Sequence, residues 1–260
     1  MKIKKILKVH FLAIASIIIL QSCVSKKEIL YMQDLDSYSP IEVSYNDNTF
    51  QVDDILNINV TALIPETVFP FNKNLNDLQQ SSTLDILRLE GYLVSQNKTI
   101  NFPVLGTISV AGKTTSALEV DLKERLESGG YLIDPTVTVR LLNAKVTILG
   151  EVKNPGTFTF TENNISFLQA LGLAGDLTIN GNREDVIIIR NVDGIQTASH
   201  INLTSADWLN GKNQNIKTND VIVVNPNEAM VKSAGYIGNA SVVLAMASLI
   251  LSSIVILTNL

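Results

Sequence analysis

Leu56, Ile58 and Val60 alternate with Asn57 and Asn59. Side chains two apart share one face of a strand, so this run predicts a half-buried β-strand. Ile55 is out of phase and is assigned to the turn that leads in. Residues 65–84 break the pattern with Pro65, Pro70 and many Asn, Gln and Ser, which reads as a loop or a short irregular helix near Leu75 to Gln80. Gln96-Asn97-Lys98 lies between two β-prone runs and reads as a hairpin turn. Pro103 cannot donate to a ladder and is expected at an edge or a strand end, with turns at Gly106 and Gly112. Leu118, Leu122 and Leu126 recur every four residues, with Asp121, Lys123, Glu124 and Arg125 on other faces, and predict an amphipathic helix. Ser116 and Glu119 have capping-box spacing, and Gly129-Gly130 is the stop. After Asp134-Pro135, Val137, Val139 and Leu141 predict a second half-buried strand.

A second module opens at Lys145. Val146 and Ile148 alternate with Thr147 up to Gly150, and Phe158 and Phe160 alternate with threonines in a returning strand. Asn154-Pro155-Gly156 between them reads as a turn in which Pro fixes φ and Gly supplies a positive φ. A short helix is predicted over Ser166 to Ala174, with Phe167, Leu168 and Leu171 as its apolar face and Gly175 as its stop. The runs Val186 to Ile189 and Val221 to Val224 are continuous and β-branched, as in buried strands. The fold class is α+β, with structural turns at Pro103, Gly106, Pro135, Gly150, Pro155 and Gly156.

Both ends of the chain are apolar. Four lysines lie within the first eight residues, then an uncharged run from Val9 ends in Leu20-Gln21-Ser22-Cys23. A cationic start, a short apolar core and a small residue before the cut describe a secretory signal over residues 1–22. The pattern resembles a bacterial lipobox, with acyl chains carried by Cys23; the alternative is a lone cysteine in a signal anchor. No Asp follows the cysteine, which resembles lipoproteins sorted to the outer membrane of Gram-negative bacteria. Residues 23–48 are polar and turn-rich and read as a lipidated tether.

At the other end, residues 236–258 are long enough to cross a hydrocarbon core of about 30 Å at 1.5 Å per helical residue. Ser241, Ala245, Ser248 and Ser252 fall on one face of that helix. Small residues let helices approach closely, so the face either packs against other helices or lines a watery lumen. A tail anchored in the inner membrane is the competing reading. It calls for Lys or Arg at the cytoplasmic end, and nothing basic follows Lys232.

Charge and composition narrow the function. The 260-residue chain has a net charge of −5, and removing the four lysines of residues 1–22 takes it to −9. Such a body has little to offer phosphate backbones, so no nucleic acid is expected as a partner. Cys23 is the single cysteine, which leaves no disulfide framework. No Gly-rich phosphate loop, His-x-x-x-His pair or nucleophile elbow is present. Asp53-Asp54 and Glu184-Asp185 are neighbours that point to opposite faces, and read as turn and strand-edge acids. His200 reads as a surface residue. Trp208 reads as a packing residue rather than a sugar-stacking platform. No catalytic residue, metal or cofactor is assigned.

The order of pieces resembles a known family. Phe50…Asp53-Asp54-Ile55, then Ile100-Asn-Phe-Pro-Val-Leu-Gly-Thr-Ile-Ser-Val-Ala-Gly112, a helix, and Asp134-Pro-Thr-Val-Thr-Val139 resemble the polysaccharide export domain, here residues 49–143. Val146-Thr-Ile-Leu-Gly-Glu-Val152, Pro155-Gly156, Ala174-Gly175 and Asn219-Asp220-Val-Ile-Val-Val224 resemble the soluble ligand-binding β-grasp domain, here residues 144–229. The family's Gly-Pro-Gly-Asp start is Gln51-Val52-Asp53-Asp54 in this chain. The resemblance implies an outer-membrane lipoprotein that forms rings, often octamers, and acts as a conduit for capsular or extracellular polysaccharide. It further implies an inner-membrane polysaccharide co-polymerase as partner, often tied to a tyrosine kinase, and a C-terminal helix that joins a helical barrel through the outer membrane. The alternative is a monomeric periplasmic lipoprotein that binds glycan or a partner without forming a pore.

Overall fold

Strand β1, Ile55–Thr61, is the middle of the first sheet. Leu56, Ile58 and Val60 are buried while Asn59 and Thr61 are exposed, as the alternation dictates. Ile55 belongs to the strand rather than to the turn before it, paired with Leu93 on the face opposite Leu56. The structure is a computed structural model that describes residues 26–38, 48–73, 84–234 and 240–259.

Around β1 the first module assembles in antiparallel order. Strand β2, Tyr92–Leu93, lies on one side and β5, Thr136–Leu141, on the other, with Ile58 opposite Val139. The turn at Gln96-Asn97-Lys98 is closed by Lys98 N donating to Ser95 O at 2.9 Å. Its flanking runs do not form the hairpin. Strand β3, Thr99–Phe102, pairs instead with β4, Gly106–Ser109, across Pro103-Val104-Leu105. Pro103 therefore ends its strand, and Gly106 takes a φ of 73°. In the stretch read as a loop, Pro65–Phe71 is a 3₁₀ helix that buries Val68 and Phe71; the short helix expected near Leu75 to Gln80 lies outside the described residues. Helix α1 spans Leu84–Glu90.

Helix α2, Thr115–Ser128, buries Leu118, Leu122 and Leu126 completely. Its cap is Thr114, whose hydroxyl accepts from Ala117 N at 3.2 Å. The Ser116–Glu119 box does not form, because the helix starts before Ser116 and places Glu119 against β5. There its carboxylate accepts from Val139 N at 2.8 Å.

The second module is a five-stranded sheet in the order β10-β9-β12-β6-β7. These are β6 Lys145–Gly150, β7 Gly156–Thr159, β9 Gly181–Val192, β10 Ile195–Ile201 and β12 Val221–Pro226. The first and last of these in sequence, β6 and β12, lie parallel at the centre, and every other pairing is antiparallel. A small pair, β8 Ile165–Ser166 and β11 Asn215–Ile216, leads into helix α3, Phe167–Leu173. Ser166 and Gln169 form a full capping box. The helix buries Phe167, Ala170 and Leu171, at i, i+3 and i+4, and leaves Leu168 outside that face. The β-branched runs are buried on one face only. Val186, Ile188, Ile222 and Val224 are in the core, whereas Ile187, Ile189, Val221 and Val223 are half-buried. Gly156 opens β7 without a positive φ; the left-handed glycine of this hairpin is Gly150, at 90°.

Leu141 packs against both hydrophobic cores and so joins the modules. Past β12 come α4, Glu228–Ala234, and α5, Ala240–Asn259. The α+β class holds throughout. The transmembrane helix expected over residues 236–258 is not shown. The described helix α5 is Ala240–Asn259, the side chains at 240–243, 250, 254, 255 and 257–259 lie outside the described ones, and among the described residues no helix is long and apolar enough to cross a membrane.

Candidate functional site

Cys23, the expected lipid attachment residue, lies outside the described residues. The described residues nearest to it in sequence begin at Lys26. From Lys26 to Tyr38 the chain is docked on the second module, where Met32 N donates to Leu203 O and Gln33 N to Thr204 O, both at 2.9 Å. The Asp34 carboxylate accepts from Ala206 N at 2.7 Å, and Tyr38 bonds to Asp207. Tyr31 is the anchor. Its hydroxyl donates to Asp176 Oδ1 at 2.5 Å, and the buried Arg183 guanidinium sits 5.4 Å over its ring. Burial and the neighbouring carboxylate push the Tyr31 phenol upward, so it stays a proton donor at any physiological pH. Residues 145 positions apart make this contact, and no local pattern announces it.

The small-residue face of the C-terminal segment is only partly described. Ala245, Ser248 and Ser252 are exposed on α5, and the side chain of Ser241 lies outside the described ones. Ser248 Oγ donates to Ala245 O at 2.8 Å, within its own helix. Pro135 stands immediately before β5, Pro155 before β7, and Gly150 at the end of β6.

Two spaces lie where the modules meet. A cavity of about 30 Å³ is lined by Phe50, Asp54, Leu141, Ala144, Phe160 and Thr218, among others. A wider cleft of about 350 Å³ is lined by Gln51, Gln96 and Lys98 from the first module and Asn191, Asp193 and Asn219 from the second. Lys98 is ion-paired with Asp193, and Asp193 N donates to Gln51 Oε1 at 3.4 Å, so the β9–β10 turn is tied to the first module. The cleft offers amides, a cation and a carboxylate, which hydrogen-bond readily to hydroxyl-rich molecules. The sequence signal for it was Asp193-Gly194 between two β-prone runs, a two-residue hairpin signature.

The remaining candidates sit apart from one another. His200 is exposed on β10, with Nδ1 2.5 Å from Asp185 Oδ1 and no nucleophile in the pair. Trp208 packs edge-on against Phe167, at 5.7 Å between ring centres, in the core of the second module. Asp54 is buried beneath the turn at Gln51, while Asp53 adopts a left-handed φ of 68° there. Among the described residues no group of His, Cys, Asp and Glu is placed to hold a metal ion.

A two-module body with polar clefts and apolar ends is the class that the fold defines. Comparison with known proteins specifies it. Residues 43–142 match the family of polysaccharide biosynthesis/export proteins, and residues 144–224 match the SLBB domain. Over these two stretches the chain is similar to polysaccharide export proteins. It is 32% identical over 136 residues to the EPS I polysaccharide export outer membrane protein EpsA of Ralstonia nicotianae, a match that covers 48% of this chain and 34% of that protein. The EpsA protein of Ralstonia solanacearum is 31% identical over 124 residues, covering 44% of this chain and 31% of that protein. The chain thus spans about a third of the length of the curated relatives it matches.

Proposed function

We propose that this protein is an outer-membrane lipoprotein of a Gram-negative bacterium whose copies close into a ring that conducts capsular or extracellular polysaccharide. The observation that carries the reading is the unbroken succession of the two family matches, 43–142 and 144–224, in one chain. The names of the Ralstonia relatives, both polysaccharide export outer membrane proteins, support it. The parallel pairing of β6 with β12 supports a β-grasp-like second module. Residues 1–22 serve as the signal, Cys23 carries the acyl chains, and two or more chains hold a protein to a bilayer stably. The body, residues 49–143 and 144–229, stands in the periplasm, and residues 236–258 enter the outer membrane beside the same segment of neighbouring copies. A helix satisfies its own backbone bonds there, and its small-residue face turns to a neighbour or to the lumen. The mechanism is steric: a hydrated channel keeps a hydroxyl-rich polymer out of hydrocarbon. An inner-membrane co-polymerase, with or without a tyrosine kinase, hands the polymer on.

The test is a strain lacking the gene, complemented with the full chain or with a chain truncated after Gly235. The full chain restores export; the truncated one reaches the membrane fraction but exports no polymer. Normal export by the truncated chain would falsify the role of the C-terminal segment. The cleft of about 350 Å³ favours one second reading, a monomeric glycan- or partner-binding lipoprotein. Native mass in detergent separates the two, since a ring is a single closed species of high order and a binder is a monomer.

A further inference from the structure

The two sheets treat their edges differently. In the first module β2 is only two residues long, and the outer edge of β5 is occupied where Glu119 takes the Val139 N–H. Short edges and capped donors are how proteins prevent unwanted strand pairing. The second sheet ends in the seven-residue β10 on one side and the four-residue β7 on the other, and among the described residues no side chain caps the outward backbone of either. Strand β10 reads Ile-Gln-Thr-Ala-Ser-His-Ile, without Lys, Pro or a register shift against β9. Residues 195–198 and His200 are exposed.

Which backbone groups face outward follows from the ladders. Asp193 and Gly194 have φ of 55° and 80°, a two-residue turn whose flanking pair, Val192 and Ile195, is hydrogen-bonded. Bonded pairs then recur every second residue, so Ile195, Thr197 and Ser199 bond to β9. Gln196, Ala198 and His200 point their N–H and C=O groups away from the sheet. On the other side Phe160 N donates to Ala144 O, which makes Val146/Phe158 and Ile148/Gly156 the bonded pairs of β6 and β7. Thr157 and Thr159 are left pointing outward, and both are exposed. Among the described residues no hydrogen bond reaches the outward backbone groups of either strand. The directions match as well. Strand β10 runs with β12 and β6, and β7 runs against them, so the two free edges are antiparallel.

We infer that copies of this chain join by strand addition in the second module, the free edge of β10 in one copy pairing antiparallel with the free edge of β7 in the next. This rests on the ring reading above and gives that ring its interface. The contact is heterologous, because two different edges meet, and heterologous contacts build rings when the rotation closes. Main-chain bonding of this kind supplies affinity with little dependence on side chains. The occupant is a second copy because the same sheet presents both halves of the joint, matched in direction and free of charge on both strands.

The full chain in detergent provides the test. Thr157→Cys copies mixed with Ala198→Cys copies, treated with a short thiol cross-linker, are expected to give a cross-linked dimer. The double variant is expected to give a ladder, and either variant alone is the control for Cys23. Ala198→Lys and Thr159→Lys place a charge on each edge and are expected to weaken assembly about tenfold, with circular dichroism and melting unchanged. Cross-linking of Ala198→Cys with itself would mean a two-fold β10–β10 pair and would overturn the inference. So would full assembly of both lysine variants, with the ring reading left standing. A wild-type chain that is monomeric would remove the ring reading itself.

Discussion

Gly150 ends β6 at a φ of 90°, where a side chain is strained whatever the space around it. Space is also lacking: a Cβ there would lie 2.0 Å from the Val224 carbonyl oxygen. That carbonyl approaches closely because it accepts from Glu151 N at 2.9 Å, as the parallel β6–β12 pairing requires. Gly150→Ala is therefore expected to cost about 3 kcal/mol or more, read as a lower melting transition for the second module. Asp54 carries the opposite kind of cost. It is buried, with Oδ2 accepting from Gln51 N at 2.8 Å. Burial pushes its carboxyl up to about 6, with Asp53 adding to the shift, while the Gln51 bond and Lys98 pull the other way. The folded state therefore holds this proton more tightly than the unfolded chain does. Stability from this group is fully present below about pH 4 and is lost as pH rises through about 6. Asp54→Asn keeps an acceptor for Gln51 N and never ionises. It is expected to raise stability at pH 7 by on the order of 2–3 kcal/mol, and to flatten the pH slope between these limits in urea titrations.

Elements built on a single face were legible from their own residues. Leu118, Leu122 and Leu126 specify the buried side of α2, and Leu56, Ile58 and Val60 that of β1, because burial there repeats with the period of the backbone. Where a partner comes from a distant stretch, that legibility fails. Glu119 has the spacing of a helix cap, yet it serves the edge of β5, twenty residues on. The run Val186 to Ile189 is apolar throughout, and a continuous run cannot tell one covered face from two. The outward-facing amides of β10 were invisible for the same reason, since register needs both strands. The loop before β12 is a further case. Arg190 on β9 grips both oxygens of Asp220, at 2.7 to 3.2 Å, and also bonds Asn215 O at 3.0 Å. Asp220 is fully buried. Arg190→Met is expected to strand that carboxylate at a cost of about 3 kcal/mol. Adding Asp220→Asn should recover much of the loss, because the charge left without its partner is then gone. Denaturant midpoints of the two single variants and the double variant measure the coupling.

Both ends of the body lie on the same side of the second module. The stretch from Asp176 to Arg183, at the start of β9, receives Tyr31 from the N-terminal segment, and its Ile179 and Asn180 carbonyls receive Asn227, which directly precedes α4. Glu28 is near enough for its charge to act on Lys232 of α4. Position 23 is three residues ahead of Lys26 and so within about 11 Å of it, at no more than 3.6 Å per residue. A lipid on Cys23 would therefore hold this side of the second module against the membrane, the side from which the C-terminal segment also departs. A loose tether would leave the body free to tumble beneath its lipid; a docked one fixes its orientation. The docking rests on Tyr31, Asp34 and Tyr38 and on two main-chain bonds, so Tyr31→Ala with Asp34→Ala is expected to loosen the segment ahead of Tyr38 at a cost of about 2 kcal/mol. Trypsin should then cut at Lys26 and Lys27 much faster than in the wild type, while the first module, which these residues do not touch through any of these bonds, keeps its melting transition. Unchanged cleavage would mean that the segment is held by something other than the Tyr31–Asp176 bond and the Asp34 carboxylate, and the fixed orientation would lose its basis.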